Sequence, residues 1–472
     1  MKHLILLAVV CAGCSFSRVD PKTLVPSTAE SVFVVDDFKS TLRGVGTYAR
    51  ALLGSETAEN VRKQIAKPGL LSFDMFSPGE YSKRGFDFNK GLLSFTLQDQ
   101  TAPVILLGIK NEKKAQEALI EIIKGLTRAE RYDKKTENGI ECHSLGRPFG
   151  DEVAPVLYWI FSKDVVRISA SKEALLAANP TTPSFFQLPE VQTIDLAMGK
   201  QSGMLFATRR DGYMGMLRVR VASTGIDADG LLATPAGEVK TMTGTPRQAM
   251  PSAPADSILT LLAGGLDADH MDALSRARVA SHLGISEAAV AQLLKTLSGP
   301  MAVSVSPRGT VRELVRLPEA ERNFDGMINM TITSSAKPDM IPLYDILKTP
   351  AADRVDGKPL ILGEKKQARL SVGPRGVLLE RTPTDPTAPD LTTFGFQPSA
   401  LIEPYLDKAG GMVIVLRPQL LSAELLGQDG QDTVEVVKKA GQIFQRIGDV
   451  MFASYPDGTD RLHMVISHRI TP

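Results

Sequence analysis

The chain has 472 residues, 43% of them hydrophobic and 23% charged, with 54 Lys and Arg against 53 Asp and Glu. These proportions exclude wholesale disorder, a collagen-like fibre and a disulfide-rich miniature, and the length has room for roughly two or three domains. Near-neutral charge offers no concentrated positive surface for phosphates, which speaks against nucleic acid as a partner.

Met1-Lys2-His3 precede an apolar run, Leu4 to Val10, and then Cys11-Ala12-Gly13-Cys14. A basic start, a short apolar middle and small residues ahead of a cut are the parts of a secretory signal. The run falls short of the roughly 20 apolar residues that a spanning helix needs. Ala12-Gly13-Cys14 resembles the lipobox of bacterial lipoproteins, with Cys11 where that family usually has Leu. The resemblance implies a signal peptide over residues 1–13, and lipid on the sulfur and the new amino group of Cys14. Residues 14–25 then form the lipidated Cys and its polar tether. Several acyl chains would hold the protein firmly, because each buried methylene adds about 0.8 kcal/mol of membrane affinity. Ser15 after Cys14, in place of Asp, implies by the same resemblance the outer membrane of a two-membrane bacterium. With the signal removed and Cys14 acylated, only Cys142 remains, and one thiol cannot pair internally. Its neighbour His143 could lower a thiol pKa, but strand neighbours point to opposite faces, so Cys142 reads as a buried, inert residue.

Pro26-Ser27-Thr28-Ala29-Glu30-Ser31 leads into the strand-like run Val32 to Val35. Pro254-Ala255-Asp256-Ser257 leads likewise into Ile258 to Leu262, with Ser257 lying 226 residues after Ser31. Two further landmarks recur at an offset of 208: Gly91 to Leu97 with Gly299 to Val305, and Gly203 to Arg209 with Gly411 to Arg417. Repetition in the same order reads as an internal duplication. The expected organisation is a first repeat over 26–232, a Pro-rich linker over 233–254 and a second repeat over 255–472. Lys67 to Phe88 is the expected insertion in the first copy, and the Pro-rich Thr382 to Pro389 an expected surface loop in the second.

Inside each copy helical and strand periods alternate. Glu112 to Leu126 puts Ala115, Leu119, Ile122, Ile123 and Leu126 on one helix face. Ser286 is placed to cap a helix whose core face is Ala289, Val290, Leu293, Leu294 and Leu297, with Gly299 ending it, and Thr433 to Ile447 repeats the pattern. Val156 to Phe161 and Val165 to Ser169 predict a hairpin, as do Val450 to Ser454 and Arg461 to Ile470 around Pro456-Asp457-Gly458. Another is predicted from Met214 to Ser223 and Gly230 to Leu232, turning at Asp227-Ala228-Asp229-Gly230. Hairpins with segregated helices predict an α+β fold: two similar tandem domains, each a mainly antiparallel sheet with helices on one face. The acidic-Ser opening into a strand, the Ser298-Gly299-Pro300-Met301 strand start and the closing hairpins resemble a poorly characterised class of large duplicated bacterial envelope lipoproteins. That resemblance implies location and architecture, and brings no catalytic residues.

Candidate chemistry is sparse. Ser169-Ala170-Ser171-Lys172 matches the Ser-x-x-Lys of penicillin-binding and β-lactamase families, without their Ser-Asp-Asn or Lys-Thr-Gly partners, and Ser334-Ser335-Ala336-Lys337 repeats it. A Ser at a strand–helix junction is ordinarily an N-cap. Asp267, Asp269, His270 and Asp272 form an oxygen-rich cluster that lacks EF-hand spacing and suits the start of a helix. Gly44-Val45-Gly46-Thr47-Tyr48-Ala49 matches a dinucleotide fingerprint in letters, but Asp37 to Arg43 separate it from the strand it should follow. The six His show no paired metal spacing. Trp159 and Phe161 share one strand face with Tyr158 opposite, a core pattern that can leave a ring for a ligand.

The expected function is a non-enzymatic, lipid-anchored envelope protein facing the periplasm or cell surface, with membrane contact through its N-terminal lipid and an envelope protein as partner. No cofactor or metal site is expected. The alternative is a carrier for a lipid or other apolar ligand in a cavity of about 300 Å³ or more. The third is a serine hydrolase acting on cell-wall material through Ser169 and Lys172.

Overall fold

The computed structural model describes residues 21–65, 78–87, 91–127, 129–137, 139–149, 152–162, 164–180, 183–199, 203–235, 244–255, 257–265, 273–297, 299–307, 328–334, 339–354, 359–362, 368–373, 376–381, 394–421 and 435–471. The chain divides into two compact units, Met1–Pro235 and Ala236–Pro472. Antiparallel sheet with helices makes the fold α+β.

The strands of the first unit are β1 (Ala29–Val35), β2 (Leu92–Leu97), β3 (Val104–Gly108), β4 (Arg131–Glu137), β5 (Ile140–Phe149), β6 (Glu152–Ser162), β7 (Val165–Ser169), β8 (Met204–Arg210), β9 (Tyr213–Ala222) and β10 (Gly225–Ala233). Every described pairing is antiparallel, in the order β4-β5-β6-β7-β3-β2-β1-β8-β9-β10. The central strands are apolar at consecutive positions because both sheet faces are covered. Leu92, Ile105, Leu107 and Ile168 pack under α4 (Glu112–Thr127), which contributes Ala115, Ala118, Leu119, Ile122 and Ile123. On the opposite face Leu93, Val104 and Leu106 pack with Ala174 and Leu175 of α5 (Lys172–Ala177) and with Val191, Ile194 and Met198 of α6 (Pro189–Met198). This corrects the expectation of helices on one face. The remaining helices are α1 (Phe38–Leu53), α2 (Ser55–Ile65) and α3 (Pro78–Lys83). Asp37 caps α1 by accepting from the Ser40 amide.

The edge strand β4 reads Arg-Tyr-Asp-Lys-Lys-Thr-Glu and is exposed along almost its whole length. At the other side of the sheet the expected turn is displaced. β9 and β10 pair from Ala222 with Gly225, so the hairpin turns at Ser223-Thr224, and Asp227 and Asp229 lie within β10 opposite Arg220 and Arg218. Opposite charges facing across the pair favour that register.

The second unit contains β11 (Leu259–Ala263), β12 (Met301–Pro307), β13 (Ile328–Ser334), β14 (Leu360–Leu362), β15 (Ala368–Gly373), β16 (Gly376–Arg381), β17 (Met412–Leu416), β18 (Ile447–Pro456) and β19 (Arg461–Ile470). Their order is β14-β15-β16-β13-β12-β11-β17-β18-β19, again antiparallel. Here too both faces are covered. One core gathers Leu262, Ala302, Val413 and Met451; the other gathers Leu360, Leu370 and Leu379 beneath α8 (Ala273–Leu283), α9 (Glu287–Thr296) and α10 (Ile341–Ile346). Ser286 caps α9, accepting from the Ala289 amide. The last helix, α11, spans Glu435–Arg446 and ends where β18 begins. Residues 244–254 of the expected linker belong instead to this unit. Pro246–Ala249 forms the helix α7, a 3-10 turn follows, and Ala249 and Ala253 are fully buried.

Apart from β4, the two orders correspond strand for strand, and so do the bonds at their joints. The Asp36 amide donates to the Gly203 carbonyl and the Gly264 amide to the Gly411 carbonyl, both at 3.3 Å. The Phe185 amide donates to Val25 and the Gly395 amide to Ala253, both at 3.0 Å. Arg209 reaches the Ser27 carbonyl at 3.1 Å, as Arg417 reaches that of Ala255 at 3.4 Å. With Gly203 set against Gly411, these bonds place Ser27 against Ala255 and so Ser31 against Leu259, two residues from the Ser257 expected from sequence. A two-residue slip keeps every side chain on its face, so strand pattern alone cannot detect it.

Candidate functional site

Cys14, Asp267, Asp269, His270, Asp272, Lys337 and the Thr382 to Pro389 stretch lie outside the described residues, as does most of the expected insertion. Within the insertion, Tyr81 and Phe86 are buried against the core under α4.

Ser169 ends β7 and is 2% exposed, its hydroxyl accepting from the Ser171 amide. Ser171 is the actual N-cap of α5. Lys172 pairs with Glu137, which raises the lysine pKa. The two members of the Ser-x-x-Lys motif thus serve a strand end and an ion pair, and no hydrogen bond joins them among the described residues. Ser334, the serine of the second copy, ends β13 and is also fully buried. The Gly44 to Ala49 segment lies inside α1, away from any strand–helix turn. A Cβ on Gly44 would stand 2.4 Å from the Val221 carbonyl oxygen, so this glycine allows close packing of helix on strand.

Cys142 and His143 diverge. Cys142 packs with Ile160 and Leu175 on one face, and burial pushes its thiol pKa up. His143, 2% exposed, lies on the other face, its ring 5.6 Å from Trp159 and nearly parallel to it at 9°. The Tyr132 hydroxyl is 2.8 Å from Nδ1 and the Glu141 carboxylate 3.2 Å from Nε2. A carboxylate only accepts, so Nε2 carries the proton, Nδ1 accepts from Tyr132, and Tyr132 in turn accepts from Gln116 of α4 at 3.0 Å. Trp159 is fully buried, while Tyr158 and Phe161 are half-buried. Tyr132 and Glu141 were not singled out from sequence. Glu137-Asn138-Gly139-Ile140 carries the Asn-Gly hairpin signal that brings them beside His143.

Burial dominates the His143 pKa and lowers it, with Glu141 opposing. An unfolded chain therefore takes up a proton near 6.5 that the folded ring refuses, and stability present above that pH is lost as pH falls towards the folded pKa. His468 is lowered by burial too and adds the same sign. The urea midpoint is expected to drop between pH 7.5 and 5.5, with a shallower drop for His143→Phe. A midpoint that is flat or rising on acidification would contradict this.

The second unit holds a cleft of about 520 Å³ between the start of α9, the end of α10 and β14. Its lining is mixed: Ile285, Ile346, Leu360 and Ile361 are apolar, Ser286 and Thr349 polar, and Lys348 and Asp353 are its charged groups among the described residues. No group of three or more His, Cys, Asp or Glu able to hold a metal occurs among the described residues. No protein-family model, curated protein or solved structure matches the chain.

Proposed function

We propose that the chain is a lipid-anchored protein of the bacterial cell envelope, acylated at Cys14, that works without catalysis by presenting two tandem copies of one α+β domain to another envelope component. The repeated apolar row on the two sheets carries this reading. Phe33, Phe206 and Leu217 lie side by side across β1, β8 and β9, and Leu261, Ile414 and Phe452 take the same places across β11, β17 and β18. None of the six is fully buried, and Phe206 is 43% exposed. Apolar surface kept half-open at one position in both sheets suits a contact face. The shared strand order and the matched Arg209 and Arg417 bonds support the tandem repeat. The lipobox resemblance supports the anchor, with the outer membrane as its place.

Radiolabelled palmitate is expected on the full chain and absent from Cys14→Ser, which should move to the soluble fraction. Label on the variant, or its retention with membranes, would overturn the anchor. A photo-crosslinking residue at 206 or 414 should capture one envelope component repeatedly; capture indistinguishable from that by an exposed position on β4 would overturn the contact face.

A carrier for an apolar ligand is the second reading, favoured by the cleft in the second unit, whose volume lies in the range of small-molecule sites, about 300–1,000 Å³. Displacement of a fluorescent fatty acid from the purified chain tests it.

A further inference from the structure

The described sheets of the two units differ beside β5 and β14. In the first unit α4 is sixteen residues long, and the edge strand β4 lays Tyr132 over His143, whose cross-strand neighbour is Trp159. The pair in the corresponding place of the second unit is Leu360 with Leu370. There β14 pairs with β15 alone among the described residues, and α10, between β13 and β14 as α4 is between β3 and β4, has only six residues. Where the first unit is filled by a helix and an aromatic stack, the second has the 520 Å³ cleft, with Leu360 in its wall.

Among the described residues one cation stands in the lining. Lys348 follows α10 with φ at +53°, in the left-handed position of a helix-ending turn: its amide donates to Asp345 at 3.1 Å, and that of Thr349 donates to Tyr344 at 2.9 Å. Glycine ordinarily takes this place, so a lysine there is held against its backbone preference. Lys348 is exposed, and its ammonium has no partner among the described residues; Asp353, in the same lining, is half-buried and has an interaction of its own.

We infer that this cleft binds an amphiphile, an acyl chain against Ile285, Ile346 and Ile361 with a single anionic head at Lys348. The inference rests on the carrier reading and adds the charge of the ligand to it. A free fatty acid and a lysophospholipid both supply this chemistry.

The test is displacement of dansylundecanoic acid from the full-length Cys14→Ser chain. Palmitate, hexadecanol and palmitoyl-lysophosphatidylglycerol compete in separate arms, against the parent, Lys348→Gly and Ile361→Asp. Glycine suits the left-handed backbone, so Lys348→Gly removes the charge and leaves the fold, which circular dichroism checks. Palmitate is expected to compete at least as well as hexadecanol, and Lys348→Gly to weaken palmitate about tenfold, the size of one charge-assisted contact, while sparing hexadecanol. Stronger competition by the lysophospholipid, also lost in Lys348→Gly, supports the inference with a phosphate head. Equal binding of palmitate and hexadecanol, unchanged in Lys348→Gly, overturns the anionic head and leaves the carrier reading standing. No binding, or binding indifferent to Ile361→Asp, overturns both.

Discussion

Trp159→Ala is expected to destabilise the first unit by about 3 kcal/mol, the lower end of the 3–5 kcal/mol range for emptying a buried aromatic site. The ring is fully buried, parallel to His143 and 6.0 Å from Tyr132, in a core that includes Leu145, Leu157 and Ile168. Its removal opens a cavity that rigid strands cannot close. The lower end is expected because the indole N–H is buried with no acceptor among the described residues, and losing an unmet donor returns about 1–3 kcal/mol. Trp159→Phe separates the two effects: the stack stays, the unmet donor goes, and the net change should lie within about 1 kcal/mol. Urea unfolding followed by circular dichroism is the measurement, since Trp159 is the single tryptophan of the chain. Equal losses for the two variants would refute the argument.

Gly85→Ala is expected to cost about 2–4 kcal/mol, from left-handed backbone strain plus overpacking. At φ +87° a Cβ would meet the Asn111 carbonyl oxygen at 2.5 Å, and the Ala115 amide nitrogen and Lys114 Cβ at 2.8 Å, all at the start of α4. The Gly85 carbonyl also accepts from the amides of Lys110 and Asn111, so the residue pins the loop that launches the helix. Since α4 packs Ala115, Ala118, Leu119, Ile122 and Ile123 into the core that holds Leu92, Ile105 and Ile168, the first unit should unfold earlier as a body rather than fray locally. A midpoint within experimental error of the parent would show that the helix start can shift to make room.

What was legible in the sequence is what is periodic and local. Ala115, Leu119, Ile122 and Ile123 face the core of α4 as their spacing requires, and the closing hairpin lies around Pro456-Asp457-Gly458 as its turn residues require. Register was less legible, because Ser223-Thr224 is a weaker turn signal than Asp227 to Gly230, and only the pairing of Asp227 with Arg220 resolves the choice. Coverage of both sheet faces was written in the consecutive apolar residues Leu92-Leu93 and Ile105-Leu106-Leu107, a pattern an alternating template misses. The cleft could not be read at all. It lies beside a short helix and a strand, β14, that has one partner among the described residues, and both depend on what lies next to Leu360 in space.

The exposed rim strand has a consequence for crowding. A sheet border offers its spare amides and carbonyls to any passing chain, and Arg131, Asp133, Lys134, Lys135 and Glu137 make that offer unattractive, since a newcomer must strip water from charges packed along one strand. Copies crowded shoulder to shoulder would slide past each other instead of knitting into ribbons.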